Sequence, residues 1–221
     1  MSYNKTVYNS QRTPKTKYPE IFCRYIVKNF GLKKNSNILD VGSGRGEFAE
    51  GFSFLGLNTF EIDIEENDER NKDLPFKKCD LLKDDIPFED NFFDIIFHKS
   101  VLEHFTDPEM IIDKMKLKLK PGGVLIGMVP DWETQYKTFY HDHTHRTPFM
   151  RESLEDLLKI KNFKKINVKI FRQLPSVWNN KFLMYLSIMT QIFLPDLKIL
   201  YKFKWIRFSK ELMILSYAEK Q

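Results

Sequence analysis

The sequence predicts an α/β domain with a mostly parallel sheet and helices on both faces. Two observations carry this. Short apolar runs that read as buried strands alternate with stretches of 3.6-residue apolar period, and the first such strand ends in a run of glycines. Strands separated by helices imply right-handed crossovers between parallel neighbours. A chain of 221 residues with 42% apolar content is enough for one domain with a sizeable core.

The elements follow in order. Pro19 to Phe30 places Ile21, Phe22, Tyr25, Ile26 and Phe30 at helical spacing. Asn37 to Val41 is a short apolar strand, and further strands are expected at Thr59 to Ile64, Lys77 to Leu81, Phe93 to Phe97 and Val124 to Val129. Pro108 to Leu119 reads as a helix stopped by Pro121-Gly122-Gly123. Met150 to Asn162 follows as an amphipathic helix, Lys164 to Phe171 as a strand and Lys210 to Ala218 as the last strand. Between the last two, residues 172–209 form an aromatic-rich insertion longer than any hairpin, and long excursions of this kind are usually functional.

Composition excludes several classes. Cys23 and Cys79 stand far apart, with no C-x-x-C spacing, so neither a disulfide framework nor a zinc knuckle is expected. The N-terminus carries no apolar h-region, and a cytoplasmic protein is expected. The apolar part of the insertion, Phe182 to Leu194, is too short and too polar to span a bilayer. Up to Lys34 there are eight Lys or Arg against one acid, and Glu61 to Asp94 holds thirteen acids against five bases. Residues 1–36 therefore read as a basic, partly helical N-terminal cap, suited to an anionic partner or simply a solvated face.

The most informative stretch is I-L-D-V-G-S-G-R-G-E-F, Ile38 to Phe48. Gly42, Gly44 and Gly46 allow a tight turn and close approach of a ligand, and the helix that follows offers free N–H groups. The dinucleotide pattern G-x-G-x-x-G would need glycine where Glu47 stands. Asp40 instead opens D-x-G-x-G-x-G.

On these residues the chain resembles the class I S-adenosylmethionine (SAM) dependent methyltransferases. The resemblance runs from Ile38 to Pro130 and includes F-E-I-D-I, K-C-D-L-L, F-D-I-I-F-H-K-S-V-L-E-H-F and L-K-P-G-G-V-L-I in the family's order. It implies a Rossmann-like seven-stranded mixed sheet of order 3-2-1-4-5-7-6 with the last strand antiparallel, and a single domain over residues 1–221 with a helical insertion before that strand. It also implies a SAM site of Asp40, Gly42, Ser43, Gly44 and Gly46 around the amino-acid end, Asp63 and Ile64 at the ribose, Asp80 and Leu81 at the adenine, and His98 on the fourth strand. Two vicinal hydroxyl donors suit one carboxylate, which is the chemical sense of Asp63. Asp63 and Asp80 are equally at home capping a helix or starting a turn.

The run Y-H-D-H-T-H-R-T-P-F, Tyr140 to Phe149, leaves the fifth strand at the edge where α/β sheets bind ligands. Its D-x-T-H and P-F resemble methyltransferases of bacterial surface-polysaccharide clusters, as do R-Q-L-P at Arg172 and W-I-R-F-S-K-E-L near the C-terminus. That match implies His145 as general base, His141 as second choice, Asp142 orienting the imidazole, and Arg146, Tyr140, Tyr136 and Trp132 on the acceptor. A metal reading stands beside it. In an extended segment His141, His143 and His145 would share one face, yet their spacing fits no known zinc pattern. Glu103-His104 resembles the end of a magnesium motif E-x-x-E-H whose first acid is Ser100 here, so no metal is assigned.

The expected function is O-methylation of a sugar, a nucleotide-linked sugar or a phosphoryl or phosphoramidate precursor of a surface glycan, with SAM as cofactor. Nucleic acid or another small molecule is the alternative acceptor; against nucleic acid, the chain lacks D/N-P-P-Y/F and a separate basic recognition domain. A SAM-binding partner subunit without catalysis is the alternative of another class. The insertion is expected to act as a lid, a homodimer contact or a peripheral membrane helix.

Overall fold

A computed structural model describes residues 14–221. Residues 1–13, and with them the first part of the expected N-terminal cap, lie outside the described residues. The cap's helix is α1 (Tyr18–Phe30), entered through Pro19 and closed by Gly31 in the left-handed conformation.

Among the described residues seven strands form one sheet of order β3-β2-β1-β4-β5-β7-β6, the order that the family resemblance implies. β1 (Asn37–Val41) lies between β2 (Asn58–Asp63) and β4 (Phe93–Lys99), both parallel to it; β3 (Phe76–Lys78) continues the parallel half. β5 (Leu119–Pro130) runs parallel to β4, and β7 (Met213–Lys220) is antiparallel to both β5 and β6 (Phe163–Phe171).

Side chains alternate across the sheet with the two-residue period of a strand. Leu39, Ile96, Leu125 and Ile214 enter one core with α3 (Pro108–Lys118) and the helix Arg151–Ile160. Ile38, Ile95, Ile126 and Leu215 enter the other with α1 and α2 (Glu47–Phe54). Pro121-Gly122-Gly123, expected to precede β5, lies within it: Leu119 already pairs with Phe93, and the register shifts before Val124 meets Ile95. The glycines make a bulge where the sequence reads as a stop.

Because β6 is antiparallel to β7, as β5 is, it runs in the direction of β5 and ends at the same carboxyl edge. There the insertion begins. With α4 (Trp132–Gln135) after β5 and α5 (Arg151–Ile160) before β6, the insertion holds α6 (Pro175–Trp178), α7 (Lys181–Phe193), a 3₁₀ turn (Lys198–Lys202) and α8 (Lys204–Lys210). Trp178 fastens it to α1, with ring centroids 4.6 Å from Tyr25 and 5.3 Å from Phe171. No helix among the described residues is long and apolar enough to cross a membrane.

Candidate cofactor and acceptor site

Residues 42–46 turn the chain from β1 into α2. The N–H groups of Gly42 and Ser43 donate to the Ile62 carbonyl at 2.9 and 3.1 Å, which ties the loop to β2. Gly42 has φ +70°, and a Cβ there would lie 2.6 Å from Cγ2 of Val101. Gly44, at φ +55°, has nothing within 4 Å of its would-be Cβ, so the loop is open to a ligand on that side. Asp63 closes the far wall, its Oδ2 accepting from the Gly44 N–H at 2.9 Å. Asp40 is buried beneath the loop and takes a backbone hydrogen bond from Ala49; burial, then the charges of Glu61 and Asp63, pushes its carboxyl well up.

A second set of side chains gathers where the turn after β4 meets the loop after β5. Asp131 and Phe149 form a bridge and Trp132 N–H donates to the Phe149 carbonyl at 2.8 Å, so the segment between them leaves the sheet and returns to the same point. It rests on the 3₁₀ turn Leu102–His104 after β4: the N–H groups of Arg146 and Thr147 donate to the Glu103 carbonyl at 2.7 and 3.1 Å. His145 Nδ1 is 2.7 Å from the Phe139 carbonyl, which can only accept. The proton therefore sits on Nδ1 and the lone pair on Nε2. His104 Nδ1 meets Thr144 Oγ1 at 2.8 Å, and that hydroxyl donates to Asp142 Oδ1 at 2.6 Å. The two imidazoles stand edge to face with centroids 4.9 Å apart.

Glu103 completes this group. It is 0% exposed, and its carboxylate oxygens are closed in without a well-formed hydrogen bond, Lys99 and the Ser100 side chain being the groups that favour its charged form. Burial pushes its carboxyl up to about 8 and holds His145 below its ordinary range, so Glu103 is largely neutral and His145 unprotonated near pH 7. One ligating atom from each of Glu103, His104 and His145 lies within 4.8 Å of the others.

A family model described as a methyltransferase domain matches residues 14–168, more than half of the chain. The chain belongs to the methyltransferase domain family. Its cofactor is SAM, and the open glycine cradle with Asp63 at its wall fits that molecule. The chain is 27% identical over 150 residues to phosphoethanolamine N-methyltransferase 2 of Caenorhabditis elegans and 27% identical over 174 residues to phosphoethanolamine N-methyltransferase of Plasmodium falciparum. These alignments take in 62% and 70% of this chain but only 34% and 62% of the relatives. Among solved structures, a SAM-dependent methyltransferase of Archaeoglobus fulgidus shares the fold at TM-score 0.69 and 17% identity, over 99% of this chain and all of that one. Phosphoethanolamine N-methyltransferase 2 of Haemonchus contortus, solved with phosphomonomethylethanolamine and S-adenosylhomocysteine, does so at TM-score 0.66 and 20% identity, over all of this chain and 60% of that one.

Within this methyltransferase domain the expected residues fall into two groups. Gly42, Ser43, Gly44, Gly46 and Asp63 line or shape one loop, and Ile64 lies exposed just past β2. Asp80 opens a turn, accepting from the Leu82 N–H at 3.1 Å and pairing with Lys83 at 2.9 Å. Leu81, expected beside the adenine, turns into the core; the exposed apolar side chains at this edge are Ile64 and Leu82. His98 is interior too: its ring fills the space left by Gly127 on β5, and burial lowers it to about 4, so it stays neutral in the sheet rather than facing a ligand.

On the acceptor side, His145 turns inward, whereas His141 and His143 remain exposed. The three do not share a face because Phe139–His141 is a 3₁₀ turn and not an extended strand. Asp142 accepts from Thr144, so its ordering reaches His104 by that hydroxyl, while His145 is held by a carbonyl. Arg146, expected on an anionic acceptor, donates instead to the carbonyls of His143 and His145 at 2.7 and 3.0 Å and knits the loop. Trp132, Phe139 and Tyr140 form an aromatic wall, with Trp132 5.3 Å from Phe139 and 6.0 Å from Tyr140; Tyr136 extends it and stays exposed. Phe139 and Thr144 escape sequence reasoning, since nothing but the fold shows that they set the two imidazoles. Glu103 and His104 were legible only as an incomplete motif.

Proposed function

We propose that this domain transfers the methyl group of SAM to an oxygen of a small anionic acceptor, of the class of sugars, nucleotide-linked sugars and phosphoryl precursors of surface glycans, and that His145 takes the acceptor proton. The observation that carries this is the Nδ1 contact of His145 with the Phe139 carbonyl, which leaves the Nε2 lone pair as a base beside the buried Glu103 carboxyl. When bound, SAM supplies an electrophilic methyl group on a sulfonium. The chain's own work is to seat that group on the glycine loop, align the acceptor against the Trp132–Tyr140 wall and accept one proton at Nε2. Alignment contributes up to about 7–11 kcal/mol in favourable cases, and a positioned base about 10²–10⁴-fold. The carbonyl under Nδ1 stabilises the imidazolium that forms. Phosphate in the acceptors named for two relatives supports an anionic acceptor; D-x-T-H and P-F support a glycan precursor.

A second reading is favoured by one observation. Metal-ligating histidines commonly tie their other ring nitrogen to a carbonyl or hydroxyl, and His104 and His145 both do so beside Glu103. In that reading His145 is a ligand and the acceptor oxygen binds a divalent ion.

Calorimetric titration with S-adenosylhomocysteine, with NADH as control and metal content assayed on the same sample, comes first. Labelled SAM with a panel of sugars, sugar phosphates, nucleotide sugars and phosphoethanolamine comes second. Micromolar binding of the homocysteine compound, no NADH response and label on a sugar oxygen are expected. Label on the amine of phosphoethanolamine would overturn transfer to oxygen. One divalent ion per chain, with turnover lost on chelation, would replace the base by the metal.

A further inference from the structure

The insertion presents its helix the wrong way round for a soluble surface. On α7 the apolar residues Phe182, Tyr185, Leu186 and Phe193 fall at i, i+3, i+4 and i+11, a single stripe at 3.6 residues per turn. That stripe faces out: Phe182 is 67% and Phe193 71% exposed. The helix's buried residue is Ser187, whose hydroxyl donates to Ser209 at 2.8 Å and accepts from Arg172 Nε at 3.1 Å. Arg172 also donates to Gln191, and Trp205 Nε1 reaches Thr190 at 3.4 Å. Hydrogen bonds thus pull the polar side of α7 inward and leave the apolar side outside. Exposed Phe203, between the 3₁₀ turn and α8, adds to the apolar surface of the same insertion. Exposed apolar surface of this extent marks an interaction site.

Charge identifies the partner. From Arg172 to Lys210 the chain has seven Lys or Arg and one acid, Asp196. That acid is held by Lys137 at 2.9 Å and Lys210 at 2.8 Å, Arg207 pairs with Glu211 just beyond this segment at 2.7 Å, and Lys181, Lys202 and Lys204 are exposed. A second copy of the chain meeting this face about a two-fold axis would set these bases against their own equivalents. An anionic lipid surface takes both features: aromatic and aliphatic side chains enter the headgroup boundary, and the bases meet the phosphates.

We infer that the outward face of α7, with the basic segment after it, docks on an anionic membrane surface. The Lys137–Asp196 pair joins the insertion to the loop that carries the aromatic wall, and the Leu212 N–H, just after the insertion, donates to the Thr134 hydroxyl of that loop at 3.2 Å. Docking therefore brings the acceptor side of the domain to the lipid, where an acceptor confined to the membrane can reach it. The inference goes beyond the proposed function, and it is read without acceptor or turnover.

The test is co-sedimentation of the full chain with phosphatidylcholine vesicles and with phosphatidylcholine–phosphatidylglycerol vesicles. Binding to the second, weakened by salt, is expected. Phe182→Ser/Phe193→Ser should lower vesicle binding by at least about tenfold. Lys202→Gln/Lys204→Gln should lower it by roughly fivefold per charge removed. Both double variants should keep the melting temperature and the affinity for S-adenosylhomocysteine, since the altered side chains are exposed. No binding to either vesicle, or binding undiminished in the phenylalanine variant, overturns the inference. So does a dimer, seen by analytical ultracentrifugation, that the phenylalanine variant dissolves.

Discussion

The two halves of the carboxyl edge are built by different means. Around Gly42–Gly46 the shape comes from the backbone: positive φ angles, N–H groups bound to β2 and strand ends fixed by sheet register. Across β4, the acceptor side is assembled from side chains far apart in sequence, with Glu103 and His104 meeting Thr144 and His145, and Lys137 meeting Asp196. A backbone site tolerates few residues and leaves a compact motif. A side-chain site draws on many combinations and leaves only scattered hints.

This contrast can be broken from either end. His145→Ala should lower turnover by about 10²–10⁴ while the affinity for S-adenosylhomocysteine holds, and His141→Ala should leave both near wild type. A fall in cofactor affinity with His145→Ala would mean that the halves are not separable. Next, Gly42→Ala puts a Cβ on Val101 at a left-handed φ, and strain plus overpacking of about 2–5 kcal/mol should appear as lost cofactor affinity and lower thermal stability together.

His98 belongs to neither half and sharpens the comparison through pH. Its folded value of about 4 lies below the ordinary 6.5, so as pH falls the unfolded chain binds the proton first. Stability from this group is full above about pH 6.5 and declines toward pH 4, by about 3 kcal/mol in all. Thermal melts over that window should show the loss, and His98→Gln should flatten it without altering turnover at pH 7. The smallest effect is expected at the junction with the insertion. Asp196, held down to about 2 first by Lys210 and then by Lys137, is partly exposed, so Asp196→Asn should cost under about 1 kcal/mol in chemical denaturation.

Legibility follows the same division. The alternation of strands and helices was readable from apolar runs and the strand order through the family resemblance that one ordered set of motifs carries, and even there Pro121-Gly122-Gly123 concealed a bulge inside β5. Asp40 lies buried beneath the turn that Gly42–Gly46 make, a backbone arrangement that a compact motif can encode. His98 and Leu81 lie in the interior, because a strand's two-residue alternation sends one inward over Gly127 and the turn after Cys79 sends the other into the core. The histidine run misled for a local reason: a 3₁₀ turn at Phe139–His141 breaks the alternation that would have aligned its three rings. The partner of each inward imidazole, a carbonyl six residues back and a hydroxyl forty residues on, has no signature in sequence.

The loop from Trp132 to Pro148 is fastened at its neck by Asp131 and Phe149. Its two ends meet in an isolated bridge just past the end of β5, and closure entropy grows only slowly with the number of residues enclosed. The segment proposed to face the acceptor is in this sense an interchangeable cartridge. Transplanting a related loop between the same two anchors would change which molecule is methylated while the sheet and the cofactor cradle keep their shape.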